Sequence, residues 1–372
     1  MDWTKDPEER RLLLNLMDLR GIGSARLRML IKSYGSPSAV VSKDCAQLQK
    51  LPGIDAKLAS RIESCSGLGF GNKQLELVAR YEATVLTCWD SNYPELLKNV
   101  VEPPPVLFTT GKPLKNDSLP ISVVGTRSPT TYGKRVTERL VRELVTEGAT
   151  IVSGFARGID TVAHTETLKC NGKTIAVLGN GLDVVYPAEN FRLVDKMKEN
   201  GTFVTEFPFG TKPDAMNFPR RNRIIAGLCL GTIVVEARAK SGALITANFA
   251  LNQNREVFAI PGSIFSAKSL GPNKLLQEGA KLVLGINDIL DELPVQGDLF
   301  RNNIQDTKEI STLTEAEKQV LAHLKTESIH IDELSLGVEM SLPSLLAILL
   351  KLEFAGYVKQ GPGKMFSRDV QV

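Results

Sequence analysis

Short apolar runs alternate with helical segments from residue 121 to residue 278, and this alternation constrains the fold more than any other feature of the sequence. A strand that leads through a helix to the next strand builds a parallel sheet with helices on both faces. Residues 113–294 are therefore predicted to form one Rossmann-like α/β domain. The predicted strands are 121–125, 150–153, 174–178, 201–205, 232–236 and 256–260, and the predicted helices are 133–147, 158–170, 190–200, 219–228, 242–252 and 272–278.

The first 70 residues, 1–70, are predicted to form a separate helical domain. Two similar segments, 19–27 and 51–59, each place an apolar-x-Gly-Ile turn directly before a helix. This pattern resembles a helix-hairpin-helix (SAM-like) domain, whose glycine turn presents backbone N–H groups to a phosphate. Asp55 stands in the turn of the second copy, where its carboxylate would repel a phosphate. The first copy is therefore a candidate for DNA contact and the second is structural; in the alternative, the domain only packs.

Two linkers are predicted on either side of the central domain. Residues 71–112 are rich in proline and are predicted to be a linker that contains short strands, and residues 295–312 form a second, polar linker. The last segment, 313–372, is predicted to hold three helices and a hairpin at 361–363. This arrangement resembles a winged-helix domain.

The winged helix is predicted to contact protein or to pack, rather than to read DNA. Residues 313–372 hold six Lys/Arg against eight Asp/Glu, and a net charge of −2 does not favour a phosphate surface. A DNA-reading helix carries exposed Arg, Lys or Asn, whereas the third helix offers only Lys351 as a charged donor. In the alternative, Lys359 and Lys364 hold DNA from either side of the hairpin turn.

The positive charge of the chain is concentrated in one stretch. Residues 211–281 contain ten Lys/Arg and four Asp/Glu, a surplus of six, while the whole chain carries +3, so the remaining residues sum to −3. A local positive field of this kind attracts a polyanion.

The composition argues against several other classes of protein. The five cysteines and three histidines are scattered and include no CxxC pair, so no metal site is expected, and the reduced thiols of a cytoplasmic protein fit better. The chain opens with charged residues, shows no secretory leader and contains no apolar run that would span a membrane. We therefore expect a cytoplasmic protein without membrane contact.

Candidate ligand contacts lie where the predicted strands end, because ligands of such sheets bind beyond the carboxyl ends of the strands. Arg127 follows the first strand; in the alternative, its guanidinium pairs with Asp160. The glycine turns lack the GxGxxG spacing, so no dinucleotide cofactor is expected. The Ser-Gly turns can offer N–H and hydroxyl groups to a phosphate, or can be ordinary helix caps. The candidates after the later strands are Ser153, Gly154, Arg157, Lys240, Ser241, Gly242 and Lys268.

The helix predicted at 219–228 is expected to present cations near its positive end. Asn217 is expected to cap this helix, since proline suits its first turn. Arg220 and Arg223 then lie on one face and attract phosphates. Phe218 is a candidate for base stacking and, in the alternative, a core residue.

Two neighbours in the same helix complete this candidate set. Arg221 points about a quarter turn away from the cationic face, and Asn222 follows it. In the alternative, the Arg221 guanidinium pairs with Glu206 or Glu236 instead of contacting a ligand.

Long collinear motifs make a family resemblance specific. The segments VVGTR (123–127), SGFARGIDTVAH (153–164), GNGLDVVYP (179–187), FPRRNRIIAG (218–227), SGALITA (241–247) and PGS (261–263) resemble the DNA-processing protein A family (DprA, also called Smf). The resemblance implies an extended Rossmann domain that dimerises, flanked by the helical and winged-helix domains. It also implies a non-catalytic protein that binds single-stranded DNA, protects incoming DNA in natural transformation and helps to load the RecA recombinase.

An enzyme is the alternative function. Gly231-Thr232 followed by Glu236 weakly resembles the signature of nucleotide phosphoribohydrolases, although the preceding glycines are absent and the glutamate lies one residue too far along the chain. The sequence contains no paired carboxylates, nucleophile–base pair or metal cluster, and His164 is expected to pack or to cap. Catalytic residues, metals and cofactors are therefore not expected.

Overall fold

The computed structural model describes residues 3–114, 117, 119–293, 314–324, 329–338, 340–354, 358–361 and 365–368. These residues belong to two compact units, Met1–Val295 and Gln296–Val372. The first unit carries the helical domain and the sheet, and the second carries the predicted winged helix.

The first unit begins with helices that are closed by short polar caps. The Asp6 carboxylate accepts the N–H of Glu8 at 2.8 Å, and the Asp55 carboxylate accepts the N–H of Leu58 at 2.7 Å. Such caps satisfy N–H groups that a helix end leaves without partners. Asp55 thus fills the turn of the second hairpin copy with its own carboxylate. The helices are α1 Pro7–Asp18, α2 Ser24–Tyr34, α3 Pro37–Val41, α4 Cys45–Leu48, α5 Ala56–Glu63 and α6 Phe70–Arg80.

A nine-stranded sheet forms the centre of this unit. Its strands are β1 Thr84–Thr87, β2 Val106–Gly111, β3 Pro120–Val124, β4 Thr150–Ser153, β5 Lys173–Val177, β6 Gly201–Thr205, β7 Gly231–Val234, β8 Glu256–Ala259 and β9 Lys281–Leu282. The connecting helices are α7 Glu95–Lys98, α8 Thr131–Thr146, α9 Ile159–Lys169, α10 Phe191–Asn200, α11 Asn217–Gly227, α12 Gly242–Asn252, α13 Leu270–Gln277 and α14 Asn287–Leu290. The predicted α/β alternation is confirmed.

The strand order identifies the edge of the sheet at which a ligand is expected to bind. The order is β1-β2-β6-β5-β4-β3-β7-β8-β9, and all neighbours from β6 to β9 are parallel. The chain moves outward from β3 to β6 and then returns to the other side of β3 with β7. The carboxyl ends of β3 and β7 therefore form a topological switch point, which is where such sheets bind ligands.

Both faces of the sheet are covered, as the apolar strands require. Val123 packs in the cluster on one face and Val124 in the cluster on the other. The same alternation separates Ile233 from Val234. Each strand therefore needs apolar residues on both sides, which explains its unbroken run of apolar residues.

The segment expected to be a linker, 71–112, contributes to both parts of the unit. Strands β1 and β2 pair antiparallel with each other, and β2 pairs antiparallel with β6. Helix α6 is bound to the loop after β6 through Gln74, whose carboxamide accepts the N–H of Phe209 at 2.9 Å. Phe209 packs among the N-terminal helices. The domain boundaries within this unit stay predictions.

The second unit is a small helical domain with a three-stranded sheet, and the predicted winged-helix architecture is confirmed. The Thr314–Glu317 capping box is present at the start of its first helix, as expected from a Thr with a Glu three residues later. Of the hairpin predicted at 361–363, residues 362 and 363 lie outside the described residues, and so does Lys364. The elements are α15 Glu315–His323, β10 Ile329–His330, α16 Ile331–Gly337, α17 Leu342–Phe354, β11 Val358–Gly361 and β12 Met365–Arg368.

The described residues lack two further features. Among these residues, no helix combines the length and the apolar character needed to cross a membrane. The same residues contain no group of three or more His, Cys, Asp or Glu placed to hold a metal ion.

Candidate nucleic-acid interface

A cleft opens at the carboxyl edge of the sheet, beside the switch point. It is built by loops that follow three adjacent strands, β3, β4 and β5, and by the first turn of α11. We call it the Phe218 cleft and define it by its principal lining residues, which are Arg127, Gly154, Arg157, Asn180, Tyr186 and Phe218.

A ring and a guanidinium form the centre of the cleft. Phe218 is half-buried, and the Arg127 guanidinium carbon lies 5.6 Å from its ring centroid. Arg127 is exposed, and within the described chain it makes no ion pair with Asp160, so that alternative is wrong. The electrons of an aromatic ring face attract a nearby cation. This contact holds the Arg127 guanidinium beside the ring without a carboxylate partner in the described part of the chain. The exposed guanidinium is therefore accessible to a ligand, and the half-buried ring lies directly beside it.

Tyr186 adds a second ring to the cleft. Its ring centroid lies 5.5 Å from that of Phe218, with 32° between the ring planes. This spacing lies within the range of interacting aromatic pairs. Tyr186 was not among the sequence candidates, although it stands in the motif GNGLDVVYP at the end of the loop after β5. A tyrosine at a strand-end loop near a candidate cation was the available signal.

The turn after β4 is occupied by a carboxylate of the protein itself. Asp160 is buried and accepts the N–H groups of Gly154 at 3.0 Å and Ala156 at 3.3 Å. Burial raises the pKa of Asp160 to about 6, opposed by the charge of Arg221 and by these hydrogen bonds. The hydroxyl of Ser153 donates to the carbonyl of Val123 at 2.7 Å. The expectation that Ser153 and Gly154 offer free groups to a phosphate is therefore corrected: these groups are used inside the fold.

Arg221 is also an internal residue. Its side chain is buried and donates to the carbonyl oxygens of Gly154 and Val177, which ties α11 to the ends of β4 and β5. Burial lowers the pKa of Arg221 to about 10, and the charges of Asp160 and Arg127 act in opposite directions on it. Arg221 therefore stays charged at neutral pH and adds a fixed positive field below the cleft.

The two ion pairs considered for Arg221 are wrong. Glu206 pairs with Arg223, and the Glu236 carboxylate accepts the N–H of Thr130 at 2.9 Å. Neighbouring Asn222 is also buried and donates its amide to the carbonyl of Gly242 at 3.1 Å.

Arg220 and Arg223 differ in what they present to solvent. The Arg223 side chain is only 14% exposed; besides Glu206, it donates to the carbonyl of Glu102 at 2.7 Å. Arg220 is exposed, with its guanidinium 5.3 Å from the Phe207 ring centroid. The expectation that both present their charge on one face is corrected, since Arg223 is held by internal partners.

The predicted cap of this helix is wrong as well. Asn217 is the first residue of α11, and Met216 occupies the capping position without a side-chain hydrogen bond. Directly before the helix, the Asp214 carboxylate accepts the N–H of Met216 at 2.7 Å.

Arg157 stands at the outer rim of the cleft. Its guanidinium pairs with Glu189 at 2.7 Å, and both side chains are more than half exposed. The hydrogen bond that the guanidinium donates to Glu189 raises the pKa of Arg157. An exposed pair of this kind is weak, so a phosphate can take the place of the carboxylate.

The remaining candidates follow β7 and β8. Ser241 caps α12, and its hydroxyl accepts the N–H of Ala243 at 3.3 Å, so the turn is a helix cap. Lys240 and Gly242 beside it are exposed. Lys268 is half-buried, and its carbonyl accepts the N–H of Ala237 at 2.7 Å. Whether these residues contact a ligand stays a prediction.

The switch point between β3 and β7 is filled by Glu236. Its carboxylate caps the start of α8 through the N–H and the hydroxyl of Thr130. In dinucleotide-binding folds this helix start receives the pyrophosphate. Thr232, the other residue of the phosphoribohydrolase alternative, is fully buried and accepts the Ser122 hydroxyl at 2.7 Å. The local geometry therefore does not support that alternative.

Comparison with known proteins places the chain in a family. Residues 84–294, more than half of the chain, match the family model described as DNA recombination-mediator protein A. Residues 305–364 match the DprA winged helix domain, and residues 13–63 match a SAM-like helix-hairpin-helix tandem. The chain belongs to the DprA/Smf family.

Individual relatives support the same assignment. The chain is 38% identical over 316 residues to protein Smf of Synechocystis sp.. This match covers 76% of this chain and 79% of the relative. The X-ray structure of DNA processing protein A from Streptococcus pneumoniae matches with a TM-score of 0.59 and 32% identity, over 79% of this chain and 98% of that one.

A third relative bears on the ligand. The DNA processing protein A of Helicobacter pylori, whose structure concerns its single-stranded DNA binding mode, matches with a TM-score of 0.52 and 30% identity. The match covers 57% of this chain and 96% of that one. The predicted family membership is thus confirmed.

Proposed function

We propose that this protein binds single-stranded DNA without sequence preference along the carboxyl edge of its sheet, with one base against Phe218 and phosphates on Arg127 and Arg157. The observation that carries the proposal is the exposed Arg127 guanidinium beside the half-buried Phe218 ring. Rings that stack on bases, next to cations that track the backbone, are the parts of a single-strand binding site. Exposed Arg220, Lys240 and Gly242, and half-buried Ser241 and Lys268, extend the basic surface.

Ser153, Gly154, Arg221, Asn222 and Arg223 have a different role in this proposal. Their polar groups bind one another and the neighbouring strands, so they shape the cleft and supply its positive field. We propose that their replacement weakens DNA binding through the fold rather than through a lost contact.

We further propose a biological role that involves no chemical reaction. The protein presents the bound strand to the RecA recombinase in the cytoplasm, acts as a homodimer formed through the sheet domain, and changes no covalent bond in the DNA. The name of the matching family model, a recombination mediator, supports this role, as do the motifs described above.

A titration that compares single-stranded with duplex DNA at two salt concentrations tests the binding proposal. Single-stranded DNA should bind more tightly, and its affinity should fall steeply with salt, because each neutralised phosphate releases about 0.7 of a counterion. Tighter binding of duplex, or an affinity that salt does not change, contradicts the proposal.

A second experiment tests the role. The protein should speed RecA filament formation on strands coated with a single-strand-binding protein and leave their length unchanged. Shortened DNA, or release of free base from nucleoside monophosphates, would instead support the enzyme alternative.

A further inference from the structure

An exposed phenylalanine stands two strands away from the Phe218 cleft on the same edge of the sheet. Phe265 lies in the loop that follows β8, which we call the Phe265 loop (residues 261–269). Its side chain is 95% exposed, and that of its neighbour Ile264 is 76% exposed. Neighbouring apolar side chains that are exposed together can form an interaction site.

The Phe265 loop is held in place by hydrogen bonds on both sides. The Asn273 side chain bonds both the N–H and the carbonyl of Gly262, at 3.1 and 2.9 Å. The Tyr132 hydroxyl donates to the carbonyl of Pro261 at 2.8 Å, and the N–H of Ala237 donates to the carbonyl of Lys268 at 2.7 Å. A loop braced in this way presents its ring at low conformational cost to a ligand.

The surroundings of the ring carry positive charge. Arg238 and Lys240 are exposed at the end of β7, and Lys268 lies within the loop itself. No acidic residue occurs from 257 to 277. A protein partner with an apolar face would not require this charge, whereas nucleic acid supplies both a base for the ring and phosphates for the cations.

The position of the loop continues the path of the Phe218 cleft. The ends of β5, β4 and β3 carry the cleft, and the next two strands along the same edge are β7 and β8. Backbone hydrogen bonds link the two sites. The N–H of Thr126 donates to the carbonyl of Glu236, and the N–H of the next residue, Ala237, donates to the carbonyl of Lys268. Adjacent strands lie about 4.8 Å apart, so the ends of β3 and β8, on either side of β7, lie roughly 10 Å apart. A few nucleotides cover that span.

We infer that Phe265 is a second base-stacking position, and that the bound strand runs from the Phe218 cleft across Arg238 and Lys240 to the Phe265 loop. This inference rests on the proposed function and extends it: the protein binds a single strand at two separate rings. An oligonucleotide too short to reach both rings gains nothing from Phe265, whereas a longer one gains from both.

The test is a fluorescence anisotropy titration of the full chain with single-stranded oligonucleotides of increasing length. Phe265→Ala should weaken binding of the long oligonucleotides about thirtyfold, the middle of the range for loss of one stacked base, and should leave the shortest that binds unchanged. Phe265→Tyr should restore the affinity. Leu251→Ala is the matched control, because Leu251 is 53% exposed at the far end of α12.

A direct readout of stacking comes from Phe265→Trp. The two natural tryptophans, Trp3 and Trp89, pack on each other with ring centroids 5.3 Å apart, so the introduced indole is the new exposed fluorophore. Long oligonucleotides should quench its emission, and the shortest one that binds should not. Equal quenching by all lengths contradicts the two-ring path.

Other results would overturn the inference and leave the proposed function intact. Wild-type affinity of Phe265→Ala at every length, together with weak binding by Arg127→Ala, excludes a second stacking position. If Phe265→Ala instead changes only the oligomeric state, the loop contacts a second copy of the chain. If neither variant affects binding at any length, the proposed function itself fails.

Discussion

The Arg127 guanidinium lies 5.6 Å from the centre of the Phe218 ring, although the two residues belong to different elements. Arg127 follows β3, and Phe218 stands in the first turn of α11. The strand order brings these elements together at the carboxyl edge of the sheet. A group for phosphate and a group for a base thus become neighbours at the place where the fold binds ligands.

Replacing Glu189 with glutamine is expected to strengthen single-strand binding. The Glu189 carboxylate forms an ion pair with the Arg157 guanidinium at 2.7 Å on the exposed rim of the cleft. It therefore competes with a phosphate for the same donor. Glu189→Gln should increase the affinity about threefold at low salt and less at high salt, since exposed charges are screened. Anisotropy titration measures this change.

Glu143→Gln is the matched control for that prediction. It removes the same charge from another arginine pair, Arg139–Glu143 on α8, away from the cleft. An equal gain in both variants would show that net charge alone is responsible and that Arg157 has no particular role.

Arg221 is expected to stabilise the fold. Replacing it with methionine leaves the carbonyl oxygens of Gly154 and Val177 without their buried donor. We expect Arg221→Met to lower the free energy of unfolding by about 3 kcal/mol, measured by urea denaturation. Exposed Arg220 provides the comparison, and Arg220→Met should stay within about 0.5 kcal/mol of the wild type. Equal stability of the two variants would contradict the internal role of Arg221.

His164 is expected to make stability depend on pH. It is fully buried, and its Nδ1 lies 2.7 Å from the Thr174 hydroxyl, which itself donates to the carbonyl of Ile151. His164 Nδ1 therefore carries the proton, and Nε2 has no hydrogen-bond partner among the residues that the structure describes. Burial lowers the pKa of His164 to about 3, and the charge of Arg221 lowers it further.

The sign of this effect follows from the proton balance. Between pH 6.5 and about pH 3 the unfolded chain binds a proton at His164 that the folded chain does not, so stability is lost as the pH falls. From pH 7.5 to pH 5.5 the wild type should lose about 1.4 kcal/mol more than His164→Gln does. Asp160, whose pKa is raised, has the opposite effect on stability as the pH falls. Both proteins contain Asp160, so its effect cancels when their stabilities are compared. Parallel pH profiles of the two proteins would contradict the prediction.

Much of the sheet could be predicted from the sequence, because its strands are short unbroken apolar runs between turns. The predicted bounds of β4 and β6 match the structure, and so do those of α12. The pairing of β1 and β2 at the sheet edge could not be predicted. It depends on contacts with β6, and no local pattern encodes that pairing.

The candidate site was predicted less completely. Exposed Arg127 lies at the strand end where the sequence places it, and half-buried Phe218 lies at the start of the predicted cationic helix. The three arginines of α11 could not be told apart, because their environments are set by distant segments. Arg221 is buried and donates to carbonyl oxygens at the ends of β4 and β5, whereas Arg223 forms an ion pair with Glu206. Helical spacing alone does not reveal those partners.

The C-terminal unit is expected to contribute little to single-strand binding. Lys351, the charged donor of α17, pairs with Glu317 at 2.6 Å. The same unit exposes a set of apolar side chains, which are Leu336, Leu342, Leu346 and Leu350. Such a surface fits a protein contact better than a phosphate backbone.

Removal of the chain after Pro294 tests this expectation. The affinity for single-stranded DNA should change less than twofold, while the oligomeric state or partner binding changes. Circular dichroism provides the control that the remaining protein is folded. A large loss of affinity in a folded truncated protein would mean that the C-terminal unit binds DNA.

The most direct test of the Phe218 cleft is the salt dependence of single-strand affinity for the wild type, Arg127→Ala and Phe218→Leu. The account predicts that Arg127→Ala reduces the slope of log affinity against log salt by about 0.7, the value for one lost phosphate contact. Phe218→Leu should lower the affinity about tenfold at every salt concentration without changing the slope, because it removes a stacked base. Wild-type affinity and slope in both variants would contradict the account.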